Sequence, residues 1–266
     1  MEKKKSLGQH FLTSPHYLAM IADAAEIGAG EAVLEIGPGE GALTRERLAR
    51  GAVVTAIEKD RRLIPLLQKL FAKETTHRKF FLHEGDVLEF DISNLELGTG
   101  VYKLVANIPY YITGAILEKF LSAQHQPSNM VLLVQKEVAG RIAREKKESI
   151  LSLSVKAYGE PRYIKTVPAG AFSPPPSVDS AILSIKNISR KNFKSPSTSL
   201  RTSSELEKKF FALVHAGFAH KRKLLARNLE PVLGKDCSSI LQKAEIAPNA
   251  RAEDVPLAQW LKLAGS

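Results

Sequence analysis

The 266 residues contain one cysteine, Cys237. An internal disulfide and a cysteine-based metal cluster are therefore excluded, and a reducing, cytoplasmic setting is expected. No apolar run approaches the roughly 20 residues that span a bilayer, so no membrane partner is expected. No His/Cys cluster suggests a metal, and none is expected. The basic start Met1-Glu2-Lys3-Lys4-Lys5 leads into no apolar stretch, so no signal peptide is expected. No internal repeat is visible. What the chain does have is enough apolar material for a packed core, 44%, and a formal net charge of +10. A chain this basic often has a polyanionic partner, although a basic surface also serves solubility alone.

Ser14 and Pro15 read as the N-cap and first position of a helix. Strands are expected at 33–36, 53–57, 80–82, 103–106 and 130–134, with helices at 42–50, 60–71, 114–121 and 136–144. Leu63, Leu66, Leu67 and Leu70 recur on one face of the helix at 60–71. Two further strands are expected at 162–167 and 178–185. Between them, Phe172-Ser173-Pro174-Pro175-Pro176 reads as a rigid loop that cannot join the sheet. Alternation of this kind predicts a doubly wound, Rossmann-like α/β domain. Residues 189–204 read as a polar linker, and the pattern is helical from Glu205. The expected division is thus a domain over 1–188 and a small all-α domain over 189–266.

In open α/β sheets, ligands bind outside the carboxyl ends of the strands. Asn107-Ile108-Pro109-Tyr110 follows the strand at 103–106. An amide oxygen at Asn107 can accept from an exocyclic amine, Pro109 stiffens the turn, and Tyr110 offers a ring for a planar base. The four residues also fit an ordinary strand-to-helix turn with a structural tyrosine. Gly37-x-Gly39-x-Gly41 lets the backbone approach a ligand closely. With Ala42 it matches a dinucleotide fingerprint. Glu58, at the end of the next strand, can take both hydroxyls of a ribose, a spacing shared with NAD proteins. Two features favour S-adenosylmethionine over NAD. Glu35 precedes the glycines, and Gly85-Asp86 ends the third strand, where a carboxylate can accept from an adenine amine. An enzyme that methylates an amine needs the Asn107 motif, and a hydride-transfer enzyme does not.

Further segments complete an ordered set. Gln9-His10-Phe11-Leu12, Glu35 to Gly39, Glu58, Gly85-Asp86 and Asn107 to Tyr110 come first. Gln135-Lys136-Glu137-Val138, Phe172 to Ala181 and Phe218-Ala219-His220-Lys221-Arg222-Lys223 follow. From Gln9 to about Leu229, this set resembles the rRNA adenine N6,N6-dimethyltransferase family. The resemblance implies S-adenosyl-L-methionine as cofactor, contacted by His10, Leu12, Gly37, Glu58, Asp86 and Asn107. The reading of the glycine turn adds Glu35 and Gly39. As substrate it implies two adjacent adenosines in a hairpin loop near the 3′ end of small-subunit (16S) rRNA, each receiving two methyls, within an immature ribosomal subunit. The enzyme is expected to be a monomer.

The chemistry expected of these residues is positioning plus electrostatic stabilisation. Asn107 and the backbone near Pro109 would hold the adenine N6, and Tyr110 and Phe172 would sandwich the ring. Phe172 as plain core is the alternative. Residues 186–235 hold 12 Lys and Arg against 3 Asp and Glu, nearly all of the net charge. Within them Lys221, Arg222, Lys223 and Arg227 form the expected RNA-backbone cluster. A solvated helical face is the plainer reading. Three other functions fit in part: an erythromycin-resistance-type 23S rRNA methyltransferase, a ribosome assembly factor in which methylation is secondary, and an NAD-dependent oxidoreductase.

Overall fold

The computed structural model of the protein describes residues 10–95, 97, 101–194 and 200–266. Gln9, the basic start and residues 195–199 of the expected linker lie outside them. The chain groups into two compact units, Met1–Ala139 with Glu160–Ile188, and Gly140–Gly159 with Ser189–Ser266.

The first unit opens with β1 (Phe11–Leu12), α1 (Pro15–Ala24), β2 (Ala32–Ile36), α2 (Ala42–Ala49) and β3 (Val53–Glu58). Then come α3 (Ile64–Leu70), α4 (Ala72–Thr76), β4 (Phe80–Glu84), β5 (Tyr102–Asn107), α5 (Thr113–Leu121) and β6 (Asn129–Gln135). The boundary falls within α6 (Lys136–Ala143), after Ala139, and α7 (Ile150–Tyr158) lies in the second unit. β7 (Glu160–Val167), β8 (Phe172–Ser173) and β9 (Ser180–Lys186) complete the first unit.

Seven strands form one sheet in the order β4-β3-β2-β5-β6-β9-β7. The first five are parallel, and β9 runs antiparallel to both β6 and β7. The sheet is therefore mixed, a Rossmann-like α/β fold closed by an antiparallel edge, as large sheets commonly are. β2, β5 and β6 are almost wholly buried, which explains their near-continuous apolar runs. The chain winds outward from β2 through β3 to β4, then returns to β5 on the other flank of β2. That reversal makes the carboxyl ends of β2 and β5 a switch point, where a crevice opens.

Three expectations change. The helix expected over 60–71 begins only at Ile64, with Pro65 in its first turn. Asp60 Oδ1 accepts from the Arg62 backbone N–H at 3.2 Å and from its Nε at 2.8 Å, holding a turn before the helix. Of the four leucines, Leu63 and Leu67 are buried, whereas Leu66 and Leu70 face solvent. Second, Phe172-Ser173 does pair, as β8, but with β1 in a separate two-stranded ribbon (Phe11 opposite Ser173, Leu12 opposite Phe172). Third, the second unit takes in 140–159, which a division at residue 188 misses.

That second unit is helical: α7, α8 (Leu200–Gly217), α9 (Leu225–Leu233), α10 (Cys237–Lys243) and α11 (Leu257–Gly265). α8 starts inside the expected linker, and Phe193 before it is fully buried. α7 belongs here because Tyr158 packs against Phe193 and Phe211 and donates its hydroxyl to Glu207. α8 and α11 meet closely, for a Cβ on Gly217 would lie 2.4 Å from the buried Trp260 ring.

Candidate active site

The crevice at the switch point is a cavity of about 490 Å³, within the usual range for a small-molecule site. Its walls are the segments that leave β2, β3, β4 and β5, with β1 as the remaining side. His10, Leu12, Gly37, Gly39, Glu58, Asp86, Asn107, Pro109 and Tyr110 all line it. The parallel register explains why residues far apart in sequence meet here. Ile36 lies opposite both Ile57 and Ala106, so Gly37, Glu58 and Asn107 come side by side at the carboxyl edge of the sheet.

The glycine turn is built for close approach. Gly39 adopts φ +59°, and a Cβ there would lie 2.7 Å from the Phe11 ring. The Gly39 N–H donates to Glu58 Oε2 at 3.0 Å, and the Asp60 N–H donates to Oε1 at 2.8 Å. Glu58 is only 5% exposed. Burial pushes its carboxyl above the usual range, against the backbone N–H groups of Asp60, Gly39 and Lys59 that pull it down. Each oxygen keeps a lone pair for a further donor.

Asp86 lines the same cavity from the end of the neighbouring strand. Lys59 Nζ donates to its Oδ2 at 2.6 Å, and the Leu88 N–H donates to Oδ1 at 3.0 Å. Lys59 first and Leu88 second hold this carboxyl below its ordinary value. Asn107 closes β5. Its Nδ2 donates to the His10 carbonyl at 3.0 Å, which fixes the orientation of the amide at the cavity wall. The Tyr110 hydroxyl sits 2.6 Å from Ser180 Oγ, and burial raises its pKa. The His10 ring lies nearly parallel to that of Tyr110, with Nδ1 2.9 Å from the Pro174 carbonyl.

Two expected site residues do not reach the cavity. Glu35 is 1% exposed; its Oε1 lies 2.6 Å from Arg47 Nη1, and Thr44 donates to its Oε2. It ties β2 to α2 and touches no ligand space. Phe172 is 5% exposed and belongs to the apolar core of the first unit. The plain-core reading holds for it, because pairing with Leu12 in the ribbon turns it inward. Sequence reasoning missed Lys59, whose only signal is its place after Glu58, and Phe11, whose ring covers the Gly39 backbone.

In the second unit, Lys221, Arg222 and Lys223 lie in the turn between α8 and α9, and all are exposed. Asn228 holds this turn by donating to the Gly217 and His220 carbonyls. Arg227 stands apart on α9, 3.7 Å from Glu230. The expected cluster is thus a basic turn with one helical neighbour, and not the helical face of the plainer reading.

The whole chain, residues 1–266, matches the family model for ribosomal RNA adenine dimethylase. The chain belongs to the ribosomal RNA adenine dimethylase family. Ribosomal RNA small subunit methyltransferase A of Dehalococcoides mccartyi (strain CBDB1) is 42% identical, over 99% of this chain and 88% of the relative. The protein of that name from Nostoc sp. (strain PCC 7120 / SAG 25.82 / UTEX 2576) is 38% identical, over 98% and 96%. Among solved structures, a dimethyladenosine transferase from Plasmodium falciparum superposes with a TM-score of 0.78 at 25% identity, covering 96% of each chain. The 23S rRNA methyltransferase ErmE gives 0.73 at 26%, over 96% and 98%.

As a member of this family the protein is an S-adenosyl-L-methionine-dependent rRNA adenine dimethyltransferase. The cavity of this dimethylase fits the cofactor. A buried carboxylate with spare lone pairs suits a ribose, and Gly37 and Gly39 line the same cavity. Among the described residues, no group of three or more His, Cys, Asp or Glu could hold a metal. No helix of the described residues is long and apolar enough to cross a membrane.

Proposed function

We propose that this enzyme dimethylates N6 of two adjacent adenosines in a hairpin loop near the 3′ end of 16S rRNA. Its substrate is the immature small subunit, it acts as a monomer in the cytoplasm, and it serves subunit biogenesis. The relatives named for the small subunit are about 40% identical, and ErmE, named for 23S rRNA, is 26% identical. That difference favours the small-subunit reading.

The observation that carries the site assignment is the Asn107 amide. One of its two N–H groups is bonded to the His10 carbonyl, which fixes the orientation of an amide that lines the cavity, and Oδ1 is its acceptor. S-adenosyl-L-methionine supplies a methyl on a positively charged sulfur. Glu58 holds the ribose hydroxyls, Asp86 accepts from the cofactor's adenine amine, and Gly37, Gly39, Leu12 and the His10 backbone shape the remaining wall. Asn107 Oδ1 and the backbone carbonyls about Pro109 hold the target N–H groups and favour the pyramidal nitrogen that forms during transfer. The target base first leaves its stack, at a few kcal/mol, and Tyr110 recovers part of that cost by stacking on it. Lys221, Arg222, Lys223 and Arg227 bind the RNA backbone.

The test is methylation of purified, unmethylated small subunits with the modified positions mapped by mass spectrometry. Two dimethyladenosines at adjacent positions are expected. Modification of 23S rRNA instead would overturn the proposal.

A further inference from the structure

The geometry points to the His10 ring as the second wall of the target-base slot, opposite Tyr110. This rests on the function proposed above, in which Tyr110 stacks on the adenine. Phe172, the ring expected to complete the sandwich, is buried and lines no part of the cavity. Phe11 is taken up against Gly39. The ring that faces Tyr110 is that of His10, with centroids 6.4 Å apart and planes 18° from parallel. Stacked carbons touch at about 3.5 Å. A base between two rings therefore needs about 7 Å, and because the centroid distance is the most the planes can be apart, the two rings must separate by at least about half an ångström to admit it.

His10 is held for this role from two sides. Asn107 Nδ2 donates to its carbonyl, and its Nδ1 lies 2.9 Å from the Pro174 carbonyl. A carbonyl only accepts, so Nδ1 carries the hydrogen, and the neutral ring is fixed as the tautomer with a bare Nε2. The bond also sets the ring's rotation. Pro174 stands directly after β8, and His10 directly before β1, so the ribbon that buries Phe172 is what presents His10. The same amide that positions the target nitrogen thereby positions the wall beside it. His10 reaches the reaction through its ring on the acceptor side. Its contribution toward the cofactor is confined to its backbone.

The experiment compares His10→Ala, His10→Phe and Tyr110→Ala in single-turnover methylation of unmethylated small subunits at saturating S-adenosylmethionine. Calorimetry with S-adenosylhomocysteine runs in parallel. His10→Ala should slow transfer roughly tenfold, the order expected for one lost stacking face. His10→Phe should restore most of the rate, and neither should change S-adenosylhomocysteine affinity. A phenylalanine variant as slow as the alanine variant would overturn the wall, as would an alanine variant as fast as the parent. Cofactor affinity falling in step with the rate would overturn it too, by returning His10 to the cofactor side. Tyr110→Ala separates this inference from the reading beneath it. A slow Tyr110→Ala beside an unaffected His10→Ala sinks the wall alone, and an unaffected Tyr110→Ala sinks the acceptor slot itself.

Discussion

Glu58 shows what a single side chain contributes here. Its carboxylate is buried, bonded to two backbone N–H groups and still able to accept. Glu58→Ala should weaken S-adenosylhomocysteine by about 1.5–3 kcal/mol, the worth of hydrogen bonds to a charged group. Calorimetry measures this directly. The raised pKa adds a pH signature. Only the ionised carboxylate offers acceptors to both ribose hydroxyls, so affinity should decline as pH falls, and the decline should begin at a higher pH than for an ordinary carboxylate. In Glu58→Gln the decline from this group should vanish, and a decline of equal size would assign the titration elsewhere. Asn107 belongs at the same scale. Asn107→Ala should lower single-turnover methylation about 10²–10³-fold at saturating cofactor and subunit, as for loss of one preorganised polar group at a developing charge. A rate near that of the parent would leave the motif a structural turn. Nearly all of these residues were legible because strand ends are legible. An apolar run followed by Gly, Glu, Asp or Asn places that polar residue at the carboxyl edge, whatever the packing around it. Phe172 and Glu35 were misread because whether a side chain turns to the cavity or the core depends on pairing partners distant in sequence.

Glu35 and Arg47 matter at the scale of the element. They are 1% and 0% exposed and form an ion pair across the β2–α2 junction just below the glycine turn. Removing one partner from a buried pair strands the other charge and costs about 3–5 kcal/mol. Glu35→Ala should therefore lower urea-unfolding stability by that order, while the folded protein keeps its S-adenosylhomocysteine affinity. Loss of affinity with stability intact would restore Glu35 to the cofactor site. Arg47→Met in the Glu35→Ala background should recover part of the stability, since the stranded charge is gone. The five parallel strands were readable as elements because each is a mostly apolar run bounded by polar or glycine residues. The antiparallel turn-back of β9 and the β1–β8 ribbon were not. A two-residue strand carries no periodicity, and strand direction is set by which edge remains unpaired. The start of α3 was overestimated for a local reason, since Asp60 bonds to the Arg62 backbone and delays the helix.

For the molecule as a whole, the division of labour follows the distribution of charge. The cavity unit carries the carboxylates that define its site, and the excess of Lys and Arg lies in residues 186–235. The boundary between the units was legible near residue 188 because composition changes there. The capture of 140–159 was not, because α7 is drawn in by its own buried face, and Tyr158 finds its aromatic partners only after the chain returns. The basic turn tests whether that charge is specific. Lys221, Arg222 and Lys223 are exposed, and Asn228 fixes the turn that carries them. Each phosphate neutralised contributes about 0.7–0.9 to the slope of log affinity against log salt. Replacing all three by glutamine should weaken subunit binding and flatten that slope by roughly 2 if all three reach the backbone. S-adenosylhomocysteine affinity should stay unchanged, because none of the three lines the cavity. Glutamine keeps side-chain length and leaves the Asn228 anchor in place, so the turn itself should persist. A binding curve and salt slope identical to the parent would reduce the cluster to a solvated surface. A loss of affinity with the slope unchanged would mean that shape, and not charge, is what the turn presents to the RNA.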